Sequence, residues 1–222
     1  MQAFLRKANW FFDLPLTGKT RVLIVVAVLT LIVTYVSPLW YMAFYSNQYT
    51  DGLVLDIYTF KLEGGKTPNR DDLQEINSLN HYIGMRPLLE SDFSEFTWLP
   101  FVIGALMLLS LRAAVLGKMA NLVDVVILFA YFGLFSLWSF YHRLYMYGHN
   151  LDPTAAIKVE PFTPPIFGEK VIANFTVQSY PQMASYALVM FWLLLMLAVF
   201  FSWRQPETAR STVGEEKLGY VR

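Results

Sequence analysis

The chain has 222 residues, of which 55% are hydrophobic, 17% aromatic and only 15% charged. An average soluble domain carries roughly 25% charged residues, so this composition excludes a water-soluble domain and a disordered one. Its 17 basic and 17 acidic residues cancel, which gives nucleic acid no electrostatic hold. The absence of cysteine removes disulfides, zinc-thiolate sites, iron–sulfur ligation and covalent haem attachment together. An integral membrane protein is what remains.

Four stretches are long and apolar enough to cross a hydrocarbon core, which needs about 20 mostly apolar residues. They predict an all-α membrane protein with four transmembrane helices and two outer loops. The N-terminal segment, residues 1–21, is aromatic and Pro-stopped around Trp10-Phe11-Phe12-Asp13-Leu14-Pro15, as suits the membrane interface. Span one covers residues 22–42. It is longer than the 7–15-residue apolar region of a signal peptide and lacks an A-x-A cleavage pattern, so it reads as a retained anchor.

The first outer loop, residues 43–96, is expected to hold a small α+β element. Its Leu53-to-Leu62 run is strand-like, and Thr67-Pro68-Asn69 reads as a helix start. Asp71, Asp72 and Glu75 fall in the first turns, where the helix dipole favours acids. Leu73, Ile76, Leu79 and Ile83 then recur at helical spacing up to Gly84. The acids of this loop read as a solvated face.

Span two covers residues 97–116, a short connection 117–121, and span three 122–145. The second outer loop, residues 146–179, is Pro-rich and reads as extended, packed on the first. Span four covers residues 180–203, with Pro181 marking its start, and a tail runs over 204–222. Arg112 and Asp124 lie at span edges as topology anchors. No span carries a charge near its middle, and the spans show no internal repeat, which disfavours a transporter.

Orientation follows from charge. Residues 1–21, 112–124 and 204–222 together hold 10 basic and 5 acidic residues, against 7 and 12 in residues 51–95 and 142–170. The positive-inside bias puts both termini in the cytoplasm and both loops outside, in the periplasm of a bacterial inner membrane.

All three histidines fall on the outward side. His81 and His142 each carry a methionine four residues on, Met85 and Met146, on one face of a helix. His149 lies seven residues beyond His142, on the same stripe if the helix persists. Imidazole and thioether without thiolate suit Cu(I) better than zinc, calcium or magnesium. Haem b is disfavoured, because no histidine lies deep in a span. The competing reading is that interfacial His and Met simply pack. No G-x-S-x-G, P-loop, H-E-x-x-H or Rossmann pattern is present, so no enzymatic activity is expected.

The stretch Ile76-Asn77-Ser78-Leu79-Asn80-His81-Tyr82-Ile83-Gly84-Met85-Arg86-Pro87 resembles a motif of a family of bacterial multi-span membrane proteins. Gly148-His149-Asn150-Leu151-Asp152-Pro153 and Pro161-Phe162-Thr163-Pro164-Pro165 resemble that family's second loop. The resemblance covers roughly a third of the chain, and associates it with copper-enzyme and nitrous-oxide-reduction accessory systems. It implies an accessory protein with copper as cargo and His81, Met85 and His149 inside the motif segments. The cysteine sites of copper chaperones are missing here. The alternative is a structural subunit of a membrane electron-transfer complex without its own metal, in contact with lipids and neighbouring subunits.

Overall fold

The computed structural model describes residues 9–172 and 174–204; the predicted tail beyond residue 204 and the first eight residues lie outside it. The helices are α1 (Gly18–Leu31), α2 (Asp72–Tyr82), α3 (Glu95–Leu116), α4 (Met119–His149) and α5 (Met183–Trp203). All but α2 belong to segments long and apolar enough to cross a membrane. The chain divides into two compact units.

Among the described residues, the first unit comprises 9–32, 103–132 and 188–204. Its interior is made by small and branched side chains, with Ile24, Ala27, Leu31, Ile103, Leu106, Leu122, Phe191 and Leu195 all buried. Phe129 meets Phe191 edge-on at 5.1 Å. Leu108, Val115 and Tyr131, by contrast, are each more than two-thirds exposed. Such apolar exterior on spanning helices is stable only against lipid or another apolar surface. The predicted interfacial segment is tied down rather than loose. Leu16 N–H donates to Gly117 O at 2.8 Å and Met119 N–H to Leu14 O at 2.9 Å.

The second unit comprises residues 33–102 and 133–187, and it overturns the all-α expectation. Among its described residues are seven strands: β1 (Trp40–Tyr45), β2 (Leu53–Ile57), β3 (Leu62–Gly64), β4 (Lys66–Thr67), β5 (Arg70–Asp71), β6 (Gly168–Ile172) and β7 (Phe175–Pro181). Five form an antiparallel sheet in the order β3-β2-β1-β7-β6, and β4 pairs with β5. Both loops supply strands, and β1 of the first pairs with β7 of the second from Trp40↔Pro181 to Tyr45↔Thr176.

The physical reasons are local. Span one does not reach residue 42, because the α-helix ends at Leu31 and a 3-10 turn covers Ile32–Tyr35. Pro38 lacks a donor and restricts Ser37 away from helix. Trp40-Tyr41-Met42-Ala43-Phe44-Tyr45, rich in aromatics, then favours a pleated surface. Tyr180 and Pro181 likewise end a strand rather than open span four, whose helix begins at Met183. Proline is tolerated there because it sits at the strand's last residue. Thr67 and Asn69 lie in and beside the β4–β5 hairpin, so α2 starts later than expected, capped by the Asp71 carboxylate on Leu73 N and Gln74 N.

Side chains alternate across β1. Trp40, Met42 and Phe44 join Leu53, Leu55, Leu62 and Val177 in one apolar cluster, which Ile76, Leu73 and Leu79 of α2 complete. The predicted stripe of α2 is therefore its core face, worth about 1.5–3 kcal/mol for each fully buried side chain. Asp72 is buried at the base of this helix, accepting from Arg70 Nε at 2.7 Å and Val54 N at 2.8 Å. That pairing joins α2 to β2.

Candidate functional site at the loop junction

The two motif-like segments meet, within the second unit. Gly84 O accepts from Asp152 N at 2.8 Å, and Tyr82 O accepts from Ile157 N at 2.9 Å. Phe162 N–H donates to Gly148 O at 3.0 Å, folding the second segment back on the end of α4.

Two glycines make the approach possible. Gly84 has φ +79°, a left-handed conformation that other residues adopt only with strain. A Cβ there would stand 2.8 Å from Asp152 O and 2.9 Å from Ala155 Cβ. At Gly148 a Cβ would overlap Phe162 O. Gly84 also ends α2 and turns Met85 back, with Met85 N–H donating to Asn80 O at 2.8 Å.

The predicted site residues take distinct surroundings. His81 is exposed on the last turn of α2. It lies within electrostatic reach of Asp152, whose carboxyl is held below its ordinary range. The Thr154 hydroxyl and backbone N–H dominate that effect, and His81 adds a smaller pull. Thr154 Oγ1 and N reach Asp152 Oδ1 at 2.6 and 2.8 Å.

Helix α4 does persist to residue 149, so His142, Met146 and His149 share a stripe, as the spacing requires. Its 31 residues span about 46 Å, longer than the roughly 30 Å hydrocarbon core. His142 stacks on Trp138 with centroids 5.4 Å apart and planes within 7°. His149 stacks on Tyr145 at 3.8 Å and 17°. The Met146 thioether accepts from Asn150 Nδ2 at 3.7 Å.

His149 has a defined tautomer. Its Nδ1 lies 3.0 Å from Tyr145 O, and a carbonyl only accepts, so Nδ1 carries the hydrogen. In the neutral ring the lone pair is then on Nε2, the orientation that ligating histidines receive from such backbone contacts.

Among the described residues, no group of three or more His, Cys, Asp or Glu side chains that could hold a metal ion occurs. A site here would depend on thioethers, and on few ligands. Sequence reasoning missed Asp152 and the pairing of each α4 histidine with an aromatic residue four positions earlier. The second was visible as the spacings Trp138–His142 and Tyr145–His149.

A separate polar row crosses the sheet, where Tyr41 pairs with Asp56 and Asp56 with Glu63. Burial, with Glu63 alongside, raises the Asp56 carboxyl. Burial and the neighbouring Tyr45 and Asp56 push the Tyr41 phenol up to about 12. At the start of α3, Glu95 is clamped by α4: Arg143 Nε and Nη2 reach its two oxygens at 3.0 and 2.9 Å, and Ser139 Oγ donates at 2.7 Å.

Comparison with protein families, with curated proteins and with solved structures finds no match to the chain.

Proposed function

We propose that this chain is a non-enzymatic accessory protein of a bacterial inner membrane, with both termini in the cytoplasm. Its two periplasmic loops present a His/Met surface that holds Cu(I) as cargo during assembly of a redox enzyme. The observation that carries this reading is the junction itself. The fold joins the segments bearing His81 and Met85 to the one that follows His142, Met146 and His149, and fixes His149 with Nε2 as its lone-pair nitrogen. Imidazole and thioether are donors that Cu(I) accepts at low coordination number, and no thiol competes.

Metal analysis of the full-length protein, purified from copper-replete membranes under reducing conditions, tests the proposal. The expected result is copper retained by the wild type, and less of it in His81→Ala and His149→Ala at unchanged folding. Copper-free wild type overturns the reading.

One observation favours the alternative of a structural subunit. Leu134, Trp138, Tyr141 and Tyr145 form an exposed stripe on α4 at spacings of 4, 3 and 4. A neighbouring apolar helix would cover such a stripe. Under that reading the protein remains in a stable complex and binds no metal.

A further inference from the structure

In the first unit, a small cleft opens between α3 and α4, lined by Leu109, Arg112, Asn121, Asp124, Val125 and Leu128. Its volume is about 70 Å³. Arg112 lies four residues before the end of α3 and Asp124 five after the start of α4. By helix rise each is roughly 6–8 Å from its helix end. Both are exposed. Among the described residues neither they nor Asn121 make a side-chain hydrogen bond or ion pair.

Two opposite charges, exposed and unpaired with one another near the ends of the spans, stand where lipid headgroups lie. From the geometry we infer that this cleft binds the headgroup of a zwitterionic phospholipid carrying a primary ammonium. The lipid phosphate accepts from the Arg112 guanidinium, the fork geometry that suits phosphate. The ammonium donates to the Asp124 carboxylate, and the Asn121 amide serves either partner. Leu109, Val125 and Leu128 lie further from the helix ends and continue the cleft towards the acyl region. Polarity thus grades along the spans as it does along a phospholipid. A rim with one cation, one anion and one amide favours a headgroup bearing both charges over an anionic one.

The test is native mass spectrometry of the full chain in micelles holding equal amounts of phosphatidylethanolamine, phosphatidylcholine and phosphatidylglycerol. Phosphatidylethanolamine adducts should exceed each of the others about tenfold, the worth of one charge-assisted hydrogen bond. Phosphatidylcholine lacks the N–H donors and phosphatidylglycerol lacks the cation. Asp124→Asn should abolish the preference over phosphatidylglycerol, whereas Arg112→Gln should lower all three adducts. Equal retention of the three lipids by the wild type overturns the proposal without any variant. So does a photo-crosslinker at Asn121 that captures protein and no lipid in native membranes.

Discussion

Gly84 and Asp152 lie 68 positions apart in sequence, yet the carbonyl of the first accepts from the amide of the second at 2.8 Å. Glycine is required at this contact twice over: by φ +79° and by the absence of space for a Cβ. The left-handed conformation alone costs an alanine about 1–2 kcal/mol. Gly84→Ala is therefore expected to destabilise the junction by at least that amount and to expose residues 151–160 to protease in the otherwise folded protein. Cleavage no faster than in the wild type would show that the junction does not hold this segment.

The Glu95–Arg143 clamp joins the start of α3 to α4 through two parallel hydrogen bonds. Its side chains are 17% and 33% exposed, so solvent screens only part of the interaction. Arg143→Ala should cost about 1–2 kcal/mol. A double-mutant cycle with Glu95→Ala measures the coupling, and a value indistinguishable from zero would make the clamp a bystander.

Asp56 gives a pH signature. Its folded-state carboxyl is raised by burial and by Glu63, so the folded state binds this proton more tightly than the unfolded state. Stability is then lost as pH rises from the ordinary aspartate range through the raised folded value. Asp56→Asn should raise the melting temperature at pH 7 to 8, with the gain shrinking towards pH 4. A gain that is the same at both pH values would point to a cause other than ionisation.

Topology is checked by reporter fusions. Fusions after Gly64 and after Pro165 should report the periplasm, and fusions after Lys118 and at Arg222 the cytoplasm. A cytoplasmic signal at Gly64 would reverse the orientation derived from the charge bias.

The four apolar helices were legible from the length of their apolar runs, and the core stripe of α2 because burial imposes a period on Leu73, Ile76 and Leu79. The sheet was not. β1 hides in the same apolar run as α1, so hydropathy alone extends the span to residue 42, and only Pro38 marks the change. β6 and β7 follow a Pro-rich stretch, and β7 gains its place by pairing with a strand more than a hundred residues away. Non-local pairing leaves no mark in local composition. The histidines were legible as residues, but their surroundings depend on Gly84 and Gly148, whose role emerges only when the two loops touch.

Copper K-edge X-ray absorption of the Cu(I)-loaded, full-length protein reads the donor atoms at the loop junction. One copper per chain is expected, with imidazole nitrogen at about 2 Å and thioether sulfur at about 2.3 Å, by analogy with zinc bound to N and S donors. The sulfur signal should fall in Met85→Leu or Met146→Leu, and the nitrogen signal in His149→Ala. A first shell without sulfur, unchanged by these substitutions, would contradict the His/Met copper reading.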